Sequence, residues 1–252
     1  PTGGRGGRLG IGTIVVLGLL GWALGIDPRL LITGAEMLSG GSEYSEPAPQ
    51  QTGRSGQPQD RDGQFASAIL GNTEDVWKVV LPQQVDVNYQ VPRMVLFSGG
   101  TRSGCGIAQS ATGPFYCPLD RSVYLDLDFF REMRSRFNVS GDFAYAYVIA
   151  HEVGHHVQNL LGILPRVQEA QRQASQAQAN QLSVRVELMA DCLAGVWASH
   201  SDAKYRSLEP GDVEAAMNAA SAIGDDRLQK ASQGYAVPES FTHGSSEQRV
   251  RW

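Results

Sequence analysis

Two histidines four residues apart, His151 and His155, with Glu152 beside the first, are the part of this sequence best suited to chemistry. On a helix of 3.6 residues per turn their side chains are separated by about 40°, so both rings can reach one ion from the same face. Glu152 falls one step round, beside such an ion rather than on it, where a base that deprotonates a metal-activated water belongs. The competing reading is an ordinary helix with surface histidines, against which stands the apolar run AYVIA just before His151. His156 lies about 140° from His151 and is expected to face elsewhere.

A catalytic Zn2+ needs a third protein ligand and an open position. Glu187, Asp191, His200 and His243 are the candidates that follow. Glu187 and Asp191, again four apart within VELMADCLAGVWA, share one face of an otherwise apolar segment. Two carboxylates on such a face need partners. Glu187 is therefore assigned to the metal. Asp191 is assigned to the free N–H of a ligand histidine, which it would orient. The plainer alternative is an exposed acidic pair.

The elements that must position these residues can be read coarsely. Residues 65–81 carry helical apolar spacing that ends before Pro82, and residues 94–97 and 123–127 are short β-rich runs. From Asp142 the pattern is helical until Gly162 and Pro165, and further helices are expected over 166–199 and 212–223. Strands followed by helices imply an α+β domain with a short sheet packed on the histidine-bearing helix.

The N-terminal part reads differently. Residues 9–26, LGIGTIVVLGLLGWALGI, carry no charge and would span about 27 Å as a helix, close to the thickness of a bilayer core. They are read as a transmembrane anchor, with a cleaved signal peptide (Ala23-Leu24-Gly25 as the small-residue site) and a buried core helix as alternatives. Gly21 and Gly25 form a weak helix-pairing signal. Arg5 and Arg8 precede the run and Asp27 follows, so residues 1–8 are expected in the cytoplasm. The rest is then extracytoplasmic. Residues 27–64, rich in Gly, Ser, Pro and Gln, read as a flexible linker, which leaves 65–252 as the catalytic domain. A formal charge of −5 without basic clusters argues against a nucleic-acid partner and fits a peptide or protein substrate better.

HEVGHHVQ, ELMADCLAGVWA, IGDDRLQ and HGSSEQRVRW, with GPFYCPLDRSVYLDLDFF before them, resemble the bacterial putative neutral zinc metallopeptidase family over roughly residues 65–252. The resemblance implies a small zincin-like (minigluzincin) domain. In gluzincins a glutamate on a second helix is the third zinc ligand and an aspartate four residues later supports a ligand histidine, positions that Glu187 and Asp191 match.

Cys105 and Cys117 flank the turn signal Gly113-Pro114 and are expected to form a disulfide outside the cytoplasm, with two buried free thiols as the alternative. Cys192, among apolar residues, reads as a small core residue. Near the C-terminus, Thr242-His243 with Arg249 six residues on resembles the Thr-His-Pro…Arg segment of membrane-associated gluzincins of the CAAX-processing and heat-shock type, with Gly244 in place of the proline. The resemblance casts His243 as a donor to the oxyanion. Arg249 would help it or hold the loop over the cleft. A surface histidine and an ordinary salt bridge are the plainer readings.

The expected function is a membrane-anchored zinc-dependent metallopeptidase acting on extracytoplasmic polypeptides. A zinc-stabilised scaffolding or binding module, or a hydrolase of another amide, are the alternatives. Glu152 argues for turnover, because a structural zinc site fills all four positions with protein ligands and needs no base.

Overall fold

The computed structural model describes residues 56–109, 113–136 and 141–252. The expected terminus 1–8, the anchor 9–26 and most of the linker 27–64 lie outside them. Among the described residues no helix is long and apolar enough to cross a membrane.

The first helix, α1 (Arg61–Val85), begins four residues ahead of the expected boundary at Phe65, because Asp60 caps it by accepting from the Gly63 N–H. It also runs past Pro82, where an end was expected. Proline removes one helical hydrogen bond. Val80 and Leu81 just before it are buried, and the turn closes only at Asp86, whose φ of 54° lets its N–H reach the Leu81 carbonyl.

Five short strands follow: β1 (Arg93–Phe97), β2 (Gly100–Ser103), β3 (Gly106–Gln109), β4 (Phe115–Cys117) and β5 (Ser122–Asp126). β1 and β5 are the two strands expected from sequence. They pair in parallel, Met94 opposite Val123, and β4 pairs antiparallel on the other side of β5, giving the order β1-β5-β4. β2 and β3 form a separate hairpin inside the connection between β1 and β5, a pair outside the two strands expected from sequence. β5 is buried along its whole length. It stops at Asp126, whose carboxylate caps α2 (Leu127–Arg136) by accepting from the Asp128 N–H.

The central helix is α3 (Asp142–Leu160). Its N-terminal half, FAYAYVIA, is apolar on nearly every face, as a helix enclosed on all sides must be. Phe143 excepted, every side chain there is buried. The three-stranded sheet packs on it, and His156 is fixed between Tyr116 of β4 and the Gln90 carbonyl. This histidine faces away from the metal-binding candidates, as its helical angle predicted.

The single helix expected over 166–199 is two: α4 (Ile163–Arg172) and α5 (Gln176–Tyr205). The break is a capping box in which Ser175 and Gln178 satisfy each other's backbone N–H groups, a local signal inside a Gln/Ala-rich run that reads as continuous helix. α6 (Asp212–Ala222), α7 (Asp225–Gln233) and α8 (Ser246–Arg251) complete the described chain, the last two unanticipated. The core joins Trp77, Leu125, Phe130, Ile149, Val153, Trp197 and Ala219. Trp197 also ties α5 to α1 through the Asn72 side chain at 2.7 Å. Each large apolar side chain so buried contributes roughly 1.5–3 kcal/mol, which holds α3 and α5 in the register that the site requires.

Candidate metal centre

α3 and α5 cross at Gly154. A Cβ there would lie 3.1 Å from the Ala190 carbonyl oxygen, so glycine is what lets the two backbones touch. The contact brings the faces carrying His151, His155, Glu187 and Asp191 together.

His151, His155 and Glu187 each offer a ligand atom, all within 4.8 Å of one another. His151 Nε2 is 3.1 Å from Glu187 Oε2, and His155 Nε2 is 3.4 Å from Glu187 Oε1. Ligand atoms around a tetrahedral zinc stand about 3.4 Å apart, given bond lengths near 2.0–2.2 Å. The donor set fits zinc in chemistry, and both histidine–glutamate separations lie near that spacing. Among the described residues this is where such a group occurs; His200 is exposed further along α5, and His243 is not in the set.

Each candidate ligand histidine is held from behind. His151 Nδ1 donates to Asp191 Oδ1 at 2.8 Å, and His155 Nδ1 donates to Gln158 Oε1 at 2.9 Å, which leaves both Nε2 atoms free for a metal. Gln158 is itself locked by donating to the Val186 carbonyl at 2.7 Å. Asp191 also accepts from Tyr147 at 2.5 Å. Sequence reasoning missed both partners, although Tyr147 lies four residues before His151 and Gln158 three after His155, on the same helix.

Arg249 departs from its expected role. Its Nε and Nη2 donate to the two oxygens of Asp191 at 2.9 and 2.8 Å, and Nη2 also donates to Tyr147 at 3.2 Å. The guanidinium is thus engaged on the Nδ1 side of His151, away from the ligand nitrogens. The pairing is the salt bridge that was the plainer of the two readings. With both side chains at most 3% exposed, it neutralises a buried carboxylate.

His243 lies in the loop between α7 and α8, with 53% of its side chain exposed. The next residue, Gly244, packs against Val184 and Leu188, on the turn of α5 that carries Glu187. The ring is held through Nδ1 near Asp225 and Thr242, and the Glu187 carboxylate is near enough to favour a charge on it.

The charges follow from this geometry. Burial works against a proton on His151, but Asp191 and Glu187 outweigh it and raise the ring to about 10. Burial would likewise raise the Glu187 carboxyl, yet the two histidines hold it well below the usual carboxylate range. Proton and metal compete for the same nitrogens. Glu152 is different: buried, it is pushed above the ordinary carboxylate range by desolvation, which suits a group that must accept a proton.

A cavity of about 490 Å3 lies further along α5, toward its C-terminal end, between α3, α6 and α8. Asp191 and Arg249 form part of its wall, and none of Glu152, His151, His155 and Glu187 lines it. Cys105 and Cys117 are joined by a disulfide that ties the β2–β3 hairpin to β4. Cys192 is a free thiol, only partly buried rather than a core residue.

Residues 2–252 match the family described as "Putative neutral zinc metallopeptidase". The chain is 49% identical over 250 residues to the uncharacterized protein YpfJ of Escherichia coli (strain K12), covering 99% of this chain and 82% of the relative. It is 46% identical over 210 residues to the uncharacterized protein Rv2575 of Mycobacterium tuberculosis (strain H37Rv), covering 79% and 68% respectively. No solved structure matches the chain.

Proposed function

The chain belongs to the putative neutral zinc metallopeptidase family, and on that premise we propose that it is a membrane-tethered zinc peptidase that hydrolyses peptide bonds of extracytoplasmic polypeptides. The observation that carries the reading is the convergence of His151, His155 and Glu187 on one point, with the buried Glu152 carboxyl next to the first ligand.

His151, His155 and Glu187 would hold the ion. Zinc bound there would supply Lewis acidity, polarising the scissile carbonyl and acidifying water. Glu152 takes a proton from the attacking water as the C–O bond forms, and delivers it to the amine as the C–N bond breaks. The carbonyl oxygen meanwhile gains negative charge, and His243 is the side chain available to donate to it. Asp191 and Gln158 keep the ligand rings in the tautomer that presents Nε2. Arg249 acts through Asp191.

Two features support the proposed location. Residues 9–26 have the length and apolarity of a single span, and the Cys105–Cys117 disulfide belongs in an oxidising compartment.

The deciding experiment compares cleaved N-termini in cells carrying the wild type or Glu152→Gln, with zinc content measured on both proteins. Peptidase action predicts a set of N-termini that vanishes in the variant while zinc is retained. Identical sets would leave a zinc-stabilised binding module.

A further inference from the structure

Asp225, the first residue of α7, is buried, and all its side-chain hydrogen bonds go to the loop that carries His243. Its Oδ2 accepts from three successive backbone N–H groups, those of Thr242 at 2.7 Å, His243 at 2.6 Å and Gly244 at 3.0 Å. Its own N–H donates to the Gly244 carbonyl at 2.9 Å. The other oxygen, Oδ1, stands 3.2 Å from His243 Nδ1. Holding the loop needs only Oδ2. Oδ1 on the ring is an arrangement that loop structure alone does not call for.

The neighbouring carboxylate provides the contrast. Asp226 Oδ1 accepts from the Ser246 N–H at 2.7 Å, anchoring the start of α8, and has no contact with His243. Gly224, just before the pair, lies so close to Ser246 that a Cβ would sit 2.5 Å from its nitrogen. The two aspartates thus fasten one loop to one helix start, but of the two only Asp225 also reaches the imidazole, whose Nδ1 stands 3.1 Å from the Thr242 hydroxyl as well.

We propose that Asp225 is the positioning residue of His243, fixing the ring over the Glu187 turn with a hydrogen on Nδ1 so that Nε2–H is presented to the reacting carbonyl. This rests on the reading that His243 donates to that carbonyl. A neutral ring with its hydrogen on Nδ1 has only a lone pair at Nε2, so the donor must be the imidazolium, which an adjacent carboxylate favours. The hydrogen bond to Asp225 is the main influence on the ring. Burial and Arg249 oppose the charge while Glu187 favours it, and the balance lies above the ordinary histidine range.

The test uses the full chain loaded with zinc and dye-quenched casein as the probe. Asp225→Asn should lower kcat by about 10- to 100-fold, the order expected when a reacting group is misplaced by about an ångström. KM should stay within about twofold and zinc content should not change. The effect should disappear in a His243→Ala background, where Asp225→Asn should cost less than about threefold, because the two residues act as one unit. Asp226→Asn should keep casein turnover. The same factor in both backgrounds, or wild-type turnover in Asp225→Asn while His243→Ala is impaired, would overturn the positioning role alone. Wild-type turnover in His243→Ala would overturn it together with the donor role, leaving the zinc centre and Glu152 untouched. Should Asp225→Asn not fold, 15N spectra of the wild-type imidazoles decide: both His243 nitrogens protonated near neutral pH are expected, and an unprotonated Nδ1 ends the proposal.

Discussion

A Cβ on Gly154 would lie 3.2 Å from the Cα of Ala190, so the helices that bear the candidate ligands meet backbone to backbone within one turn of those ligands. Neither partner at that distance is a flexible side chain, and α3 and α5 would have to separate to admit a methyl group. Gly154→Ala should therefore destabilise the domain by about 1–3 kcal/mol, the usual cost of overpacking. It should also weaken zinc binding, because His151 and His155 would withdraw from Glu187. Denaturant unfolding and competition with a chromophoric chelator read the two effects. Unaltered zinc affinity would mean that the crossing does not set the ligand distances.

Gln158 holds His155 while donating to the Val186 carbonyl on α5. Replacing it with Met keeps the volume and removes both bonds. Zinc affinity should fall by about 10- to 100-fold, the size usual for a support behind a ligand histidine. The same competition assay measures it. A wild-type constant would show that His155 is oriented by packing alone.

Arg249 and Asp191 form a buried pair, and losing one partner strands the other charge. Arg249→Leu should cost about 3–5 kcal/mol in denaturant unfolding. Arg249→Lys should recover only part of that, because an ammonium cannot donate along both N–H···O lines that the guanidinium uses. A lysine variant as stable as the wild type would show that charge alone, without the forked geometry, satisfies Asp191.

Asp120 supplies a pH-dependent contribution remote from the metal. Burial would raise its carboxyl, but donors at Gly104 N, Tyr124 Oη and Ser122 outweigh it and hold it below the ordinary carboxylate range. A depressed carboxylate stabilises the fold above the unfolded value of 3.8, and the stabilisation is lost as pH falls through the folded value. Asp120→Asn should therefore cost about 1–3 kcal/mol near neutral pH, as for lost hydrogen bonds to a charged group, and progressively less in acid. Thermal melts of both proteins from pH 7 to pH 3 test this. A gap that stays constant with pH would remove the charge from the account.

Part of this arrangement is legible in a single sequence because helical periodicity is local. The four-residue spacings of His151 with His155 and of Glu187 with Asp191 fix which side chains share a face, and Glu152 and His156 follow by rotation. The short β-rich runs near residues 94–97 and 123–127 were readable for the same reason. The hairpin of β2 and β3 was not, since its strands are four residues long and gain their stability from pairing rather than from an apolar pattern. The capping box at Ser175 was present in the sequence, but it is outweighed by the helix propensity on both sides of it.

What only the tertiary structure decided is where residues far apart in the chain meet. Arg249 pairs with Asp191 across 58 positions and with Tyr147 across 102, and Asp225 grips a loop 18 residues later. Nothing in local spacing distinguishes an arginine that reaches an oxyanion from one that neutralises a buried carboxylate. The outcome depends on which side of His151 the start of α8 is delivered to, and that is set by the packing of α6, α7 and α8 against α3 and α5. The sequence by itself settled the kinds of groups available and their angles around each helix; the distances between helices, and hence which donor faces which acceptor, came from close-packed contacts such as Gly154 on Ala190.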